Sequence, residues 1–164
     1  MGPRFTEKVQ IVPLINPESA TDQSNESAFV ALKNAQWVTF LLQIGTLATD
    51  SGDSIQLTVC SATGNTTNAN DTAIAFKYRL SSAVGTDAWG AITAATSTGL
   101  NLESTDYIGE SLLIDVDPAA IPAADSDALY VYLDIATTTI TGGYISAVAF
   151  IEPRYPQNSN LTSS

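Results

Sequence analysis

The sequence contains no histidine and a single cysteine, Cys60. Without histidine, the chain lacks the commonest general base, the side chain that titrates near neutral pH and the commonest metal ligand. A lone cysteine excludes an internal disulfide and a cysteine cluster for zinc. Cys60 lies in the alternating segment SIQLTVCSA, on the face opposite Ile55 and Leu57. We therefore expect it to be a small, half-buried residue and not a reactive thiol.

Positive charge is also scarce, with 6 Lys and Arg against 17 Asp and Glu and a net charge of −11. Such a surface repels phosphate and anionic lipid, so we predict neither nucleic acid nor a membrane as a partner. No apolar run approaches the roughly 20 residues of a membrane-spanning helix. The N-terminus, MGPRFTEKVQIVPLIN, lacks the pattern of a signal peptide. An apolar fraction of 45 %, with only 14 % charged residues, is typical of a folded β-sandwich.

No catalytic signature is present. The missing histidine excludes a Ser-His-Asp triad, and no glycine-rich phosphate loop occurs. Beyond the first 30 residues the glutamates are Glu103, Glu110 and Glu152, none of them in an aromatic-flanked strand. A carboxylate pair for glycoside hydrolysis is therefore not indicated. We predict that the protein is not an enzyme and that it uses no cofactor.

The stretch AFVALKNAQWVTFLLQIG, residues 28–45, is the part of the chain that we expect the rest to be arranged around. Its two apolar runs, Ala28–Leu32 and Trp37–Ile44, are rich in the β-branched and aromatic residues that favour strands. Apolar residues on both faces indicate a central strand that is covered on both sides, by a partner sheet or by a neighbouring subunit.

Further segments with strand-like alternation follow, separated by polar loops, and no helical period interrupts them. They are Ser54–Ala62, Ala73–Leu80, Ala88–Thr93, Leu100–Leu102, Ser111–Val116, Ala128–Ala136 and Tyr144–Ile151. About eight or nine strands of ordinary length predict a single jelly-roll-like antiparallel β-sandwich. We expect an N-terminal arm and polar loop over 1–27, the sandwich over 28–156 and a flexible tail over 157–164. Within the arm, residues 4–16 carry Pro13 and are predicted to be an edge strand or to lie on another surface.

Two groups of side chains are candidate ligand sites. Carboxylates that could offer oxygen to calcium are Asp50, Asp53, Asp115, Asp117, Asp125 and Asp127. Their spacing does not match an EF-hand, so we favour the capping of turns and predict no metal. The aromatic residues that could stack on a carbohydrate are Trp89, Tyr130, Tyr132 and Tyr144. We favour a role for them in covering a sheet or in a subunit contact.

Three of the six cations, Arg4, Lys8 and Arg154, lie near the two ends of the chain. On an acidic protein they are candidate docking points for an acidic partner.

Four segments resemble small structural proteins from the head gene cluster of tailed bacteriophages. They are FVALKNAQWVTFLLQIG (29–45), AIAFKYRLSSAVGTDAWGAIT (73–93), SLLIDVDPAAIPA (111–123) and AVAFIEPRYP (147–156). The resemblance implies a virion protein of the capsid decoration or cement type. Such proteins are small and β-rich, form trimers on the outside of the shell and bridge neighbouring major capsid subunits. The resemblance brings no catalytic residues.

From the residues and the resemblance together we predict a homotrimeric capsid cement protein. Its expected partners are the major capsid protein and further copies of itself, on the exterior of a capsid made in the bacterial cytoplasm. The predicted contact residues are Arg4, Phe5, Lys8, Arg154 and Tyr155. The alternatives are a tail or head–tail junction component, and a carbohydrate-binding β-sandwich module that uses the surface tyrosines.

Overall fold

The computed structural model describes residues 5–19, 25–45, 54–82, 85–103, 107, 109–138 and 143–155. More than half of these residues are in β-strands, and only a few are in helical turns. The elements are a helical turn α1 (Phe5–Lys8) and the strands β1 (Gln10–Ser19), β2 (Asn25–Glu26), β3 (Val30–Ala31), β4 (Ala35–Ile44), β5 (Ser54–Ala62), β6 (Thr72–Ile74), β7 (Phe76–Leu80), β8 (Thr93–Ala95), β9 (Leu100–Glu103), β10 (Ser111–Val116), β11 (Tyr130–Thr138) and β12 (Tyr144–Pro153). A single turn of 3₁₀ helix, Ile121–Ala123, interrupts the connection from β10 to β11.

The strands form two antiparallel sheets. Sheet 1 has the order β1-β12-β4-β10-β7-β8, and sheet 2 has the order β2-β11-β5-β6. Two short strands complete sheet 2, because β3 also pairs with β11 and β9 also pairs with β5. The prediction of an all-β sandwich is confirmed.

The core lies between the two sheets and is filled by alternate residues of each strand. In β4 the inner residues are Val38, Phe40, Leu42 and Ile44, and β5 and β11 contribute Ile55, Leu57, Val59, Val131, Leu133 and Ile135. All of these side chains are buried in one cluster that spans both sheets. Burying each of them contributes about 1.5–3 kcal/mol, which makes this alternation the main source of stability.

The strands that are apolar on both faces are central, as predicted. In sheet 1, β12 lies between β1 and β4, and β4 lies between β12 and β10. Their inner residues are buried, but outward residues such as Leu41 and Val148 are only half-buried. Sheet 2 therefore covers one face of these strands and leaves the other partly open to solvent.

The segment Ala73–Leu80 differs from its prediction as one strand. It forms two strands in different sheets, since β6 pairs with β5 in sheet 2 and β7 pairs with β10 in sheet 1. Ile74 and Phe76, on either side of Ala75, are both buried. Alternation reports which side chains point inward, and both sheets share the same interior, so the sequence pattern does not reveal the crossing.

The strand predicted at Ala88–Thr93 was also misplaced. The strand is β8 (Thr93–Ala95), while Trp89 makes an isolated bridge to Ser81. Trp89 and Ile92 are exposed. Apolar residues on an exposed loop therefore resembled a short buried strand.

For residues 10–16 the edge strand is the possibility observed, whereas Phe5–Lys8 form a helical turn and Arg4 lies outside the described residues. Strand β1 pairs with β12 from Gln10 opposite Ile151 to Ser19 opposite Tyr144, with irregular register near Ile15. Pro13 is tolerated because an edge strand has one side without ladder hydrogen bonds. The sandwich thus begins before residue 28, and β1 is an integral part of it.

Candidate interaction surface

The outer face of sheet 1 carries a contiguous set of large apolar side chains. We call Ile11, Leu41, Leu113, Val148 and Phe150 the apolar face. Four of them are half-buried and Ile11 is 43 % exposed. None of the five belongs to, or packs against, the buried core clusters of the described residues. They form a surface of their own.

Strand register brings these side chains together. Val148 lies opposite Leu41, and Leu41 lies opposite Leu113. In the next row Ile11 lies opposite Phe150. Directly opposed side chains on one face of a sheet are about 5 Å apart at Cβ, so each row is a continuous strip.

In the same two rows the residues on β7 are cations. Leu113 lies opposite Arg79, and Asp115 lies opposite Lys77. The Asp115 carboxylate also accepts a hydrogen bond from Thr39 Oγ1 at 2.8 Å. The face therefore changes from apolar at β1 and β12 to basic at β7, on a protein whose net charge is −11.

The predicted contact residues near the N-terminus adjoin the apolar face. The Phe5 ring meets the Phe150 ring edge-on, with centroids 5.9 Å apart, and remains largely exposed. Lys8 ends the same helical turn and is exposed. Arg4 lies outside the described residues.

The predicted contact residues near the C-terminus lie at the same end of sheet 1. Arg154 and Tyr155 follow β12 and are exposed, and the Arg154 backbone N–H donates to the Asn34 carbonyl at 2.7 Å. Because Gln10 at the start of β1 pairs with Ile151 near the end of β12, the two predicted segments are brought to one edge of the molecule.

Part of the outer face of sheet 2, around Tyr132, is covered by the chain itself. Tyr132 is buried, and its ring packs on that of Phe29 with centroids 4.5 Å apart. Its hydroxyl donates to Asp71 Oδ2 at 3.2 Å, from the loop that joins β5 to β6. Cys60, which is also buried, belongs to the same cluster. Tyr132 thus covers a sheet, as favoured from the sequence, and Cys60 is buried more deeply than expected.

Burial dominates the electrostatics of this cluster. It raises the pKa of the Cys60 thiol above its ordinary 9.0, with a smaller opposing effect from the hydrogen bond to Thr58. Burial also raises the pKa of the Tyr132 phenol well above its ordinary 10.0, and negative charge on Cys60 and Asp71 adds to the shift. Both groups are neutral near pH 7, so the cluster offers neither a thiolate nor a phenolate for chemistry.

The candidate calcium ligands are dispersed. Asp117 Oδ1 accepts from the Ala119 N–H at 2.9 Å, and Asp125 Oδ1 accepts from the Asp127 N–H at 3.2 Å, which are turn-capping bonds. Asp125 Oδ2 also accepts from buried Ser61 at 2.7 Å. Asp50 and Asp53 lie outside the described residues, within which no three His, Cys, Asp or Glu side chains are grouped for a metal.

Two clefts lie at opposite ends of sheet 1. The Trp89 cleft, of about 580 Å³, is formed where β4 ends and β12 begins and is lined by Trp89 and Tyr144 among others. The Trp37 cleft, of about 490 Å³, is lined by Trp37, Lys77 and the segment after β10. The aromatic residues considered for carbohydrate binding are thus divided, because Tyr130 and Tyr132 lie on sheet 2.

Comparison with known proteins adds no family: the sequence matches neither a protein-family model nor a curated protein. Among the described residues, no helix has the length and apolar character needed to cross a membrane.

Sequence reasoning missed the role of Leu113 and the way the apolar face joins the β7 cations. A signal was present, since Leu112 and Leu113 are adjacent in SLLIDV and cannot both point inward from one strand. What the sequence did not contain was the pairing of β10 between β4 and β7, which joins Leu41 to Arg79 through Leu113.

Proposed function

We propose that this protein is a non-enzymatic structural component of a bacteriophage virion, a capsid decoration or cement protein that docks on the outside of the shell. The observation that carries the proposal is the apolar face of sheet 1. It is formed mainly by the central strands β4, β10 and β12, yet the described residues leave it partly open to solvent.

Energetics favour a partner on this face. Contiguous exposed apolar patches on soluble proteins commonly mark interaction sites. Each square ångström of apolar surface that a partner removes from water contributes about 25 cal/mol. Obligate interfaces are built in this way and resemble a core cut in half.

The charge around the face indicates what the partner surface carries. Lys77 and Arg79 border the face, so an acidic patch on the partner would complement them. Candidates for such a surface are the major capsid protein and, since the net charge is −11, further copies of this chain. The same net charge opposes binding to nucleic acid or to an anionic membrane.

The strand order supports a jelly-roll assignment within the β-sandwich. Four strands of sheet 1, β1-β12-β4-β10, face sheet 2, in which β11 and β5 are central and the short strands β2, β3, β6 and β9 are at the edges. Eight-stranded jelly rolls distribute consecutive strands between two sheets in this way. In this assignment β2 and β3 share one edge position of sheet 2 and β6 and β9 share the other, which gives eight strand positions, and β7 and β8 extend sheet 1 beyond them.

The first test is the solution mass of the full chain by light scattering on a sizing column. We expect a homotrimer of 51.6 kDa, three times the 17.2 kDa of one chain. Leu41→Ser places a hydroxyl in the apolar face and is expected to weaken self-association. Leu129→Ser is the matched control, because Leu129 is exposed away from sheet 1.

The second test is co-sedimentation with empty shells of the phage that encodes the chain. Wild type and Leu129→Ser are expected to sediment with the shells, and Leu41→Ser to remain in the supernatant. A ring of six or twelve subunits would favour the tail or head–tail junction alternative. Equal sedimentation of the two variants would remove the apolar face from the docking mechanism.

A further inference from the structure

The Trp89 cleft has the features of a ligand site and shares no residue with the apolar face, although Gln43 and Ser146 lie two residues from Leu41 and Val148 on the same face of sheet 1. It lies where β4 ends, β10 begins and β12 begins, at one end of sheet 1. Its lining includes the side chains of Gln43, Ser81, Trp89, Glu110, Tyr144 and Ser146. Its volume of about 580 Å³ is within the range of roughly 300–1,000 Å³ of small-molecule sites.

Two aromatic rings of the cleft are accessible to a ligand. Trp89 is 38 % exposed and Tyr144 is 64 % exposed. Rings that remain in water do not contribute the stabilisation that their burial would provide. A flat apolar ligand surface packed against them would provide it.

The backbone on which these rings stand is held by hydrogen bonds. The segment around Trp89 is fixed by the Gly90 N–H to the Leu80 carbonyl at 2.8 Å and by the bridge to Ser81. The Tyr144 carbonyl accepts from the Gly45 N–H at 2.7 Å. The rings are therefore presented from anchored positions, as precise recognition requires.

Polar groups in the same cleft are oriented by their neighbours. Ser81 Oγ donates to Glu110 Oε2 and accepts from the Ser111 N–H at 2.9 Å. Ser146 Oγ donates to Gln43 Oε1 at 3.3 Å. A carboxylate accepts several hydrogen bonds and an amide carries two N–H donors, so both groups have capacity for ligand hydroxyls.

We infer that the Trp89 cleft binds a neutral saccharide, with Trp89 and Tyr144 against the sugar ring and Glu110 and Gln43 bonded to its hydroxyls. A sugar presents an apolar face of C–H groups and a rim of hydroxyls, which matches this combination of aromatic and polar groups. No Lys or Arg is among the described residues that line the cleft, and Glu110 is there, so phosphorylated or acidic sugars are disfavoured. The inference does not depend on the proposed shell docking.

The two tryptophans of the chain provide a matched experiment. Trp37 is also 38 % exposed but lines the other cleft. In the full chain carrying Trp37→Phe, Trp89 is the single fluorescent indole, and in Trp89→Phe that role belongs to Trp37. Both variants are titrated with a panel of neutral oligosaccharides containing glucose, galactose, mannose or N-acetylglucosamine.

We expect at least one oligosaccharide to shift the Trp89 emission and to leave the Trp37 emission unchanged. By calorimetry, Trp89→Ala and Glu110→Gln are each expected to weaken binding at least tenfold, with Trp37→Ala unchanged. A denaturant midpoint for each variant separates loss of binding from loss of fold, and the two phenylalanine variants decide the question if Glu110→Gln does not fold. A panel that gives no response, a response at Trp37 or a preference for acidic sugars would overturn the inference.

Discussion

The two outer faces of this sandwich differ in how far their apolar side chains are covered by the chain. On sheet 2, Tyr132 is only 2 % exposed, because Phe29 and the loop that contains Asp71 pack over it. On sheet 1, the apolar face is bordered by Phe5 and by the β7 cations but remains half-exposed. One outer face is covered by its own chain around Tyr132, and the other is the one for which we propose a partner.

The difference shows that the apolar residues of a strand in a two-layer fold have two different roles, according to whether they point inward or outward. Inward alternation builds the core in both sheets. Outward apolar residues either receive a cover from their own chain, as around Tyr132, or form a surface that the other described residues leave uncovered.

The strongest expected effect is on sheet 2. Tyr132→Ala removes a buried aromatic ring and leaves a cavity, so we expect the free energy of unfolding to fall by about 3–5 kcal/mol. Leu41→Ala, on the half-buried face of sheet 1, should cost the isolated chain only about 1 kcal/mol. Urea denaturation at low protein concentration measures both variants. Equal losses of unfolding free energy in the two variants would show that the two faces are equally covered.

A backbone position on sheet 2 comes next. Gly99 has a φ of +82°, and a Cβ there would lie 2.3 Å from the Leu57 carbonyl oxygen and 2.6 Å from Thr58 Cγ2. Gly99→Ala is therefore expected to reduce the free energy of unfolding by about 2–4 kcal/mol. Gly64→Ala is the control, because no atom lies within 4 Å of its Cβ position. An unchanged free energy of unfolding for Gly99→Ala would mean that the turn before β9 has room for a Cβ atom beside β5.

A smaller change tests the hydrogen bond over sheet 2. Tyr132→Phe keeps the ring on Phe29 but removes the hydroxyl that donates to Asp71. We expect a loss of about 1 kcal/mol at pH 7, the usual net value of such a bond. Tyr144→Phe removes an exposed hydroxyl and should change stability by less than about 0.5 kcal/mol.

The raised pKa of Tyr132 predicts a dependence on alkaline pH. Below pH 10 the phenol is protonated in both the folded and the unfolded chain, so it adds no slope. Above pH 10 the unfolded chain loses this proton while the folded chain retains it, so stability falls as the pH rises. Buried Cys60 adds a decline of the same sign from about pH 9. The free energy of unfolding, measured by denaturant titration between pH 8 and about 11, should fall less steeply with pH for Tyr132→Phe than for wild type. Parallel curves would contradict the burial of the phenol.

Much of the strand layout was predictable because alternation is a local property. Ser54–Ala62 and Ser111–Val116 have the predicted bounds, and the inward positions of Val131, Leu133 and Ile135 follow from a period of two. The position of Cys60 opposite the core side of β5 followed from the same rule.

The candidate sites were less predictable because they depend on which strands become neighbours. The sequence predicts Arg154 and Phe5 as contact residues because they lie near the two ends of the chain. Only the pairing of β1 with β12 brings their segments to one edge. Trp89 and Tyr144 are 55 positions apart in the sequence, and the ends of β4, β10 and β12 bring them to one cleft. Tyr132 and Tyr144 were both candidates for carbohydrate stacking in the sequence, but Tyr132 lies on the opposite sheet and is buried.

The sequence by itself determined the class of the fold, the face of most strands that is buried and the absence of histidine chemistry, since these follow from composition and from a period read within a few residues. The tertiary structure alone decided that Ile74 and Phe76 belong to different sheets, that Leu113 joins the apolar face to Arg79 and that two aromatic rings line one cleft. Strand pairing joins residues far apart in the chain, and its energy depends on the register and packing of the whole sandwich, which no local pattern contains.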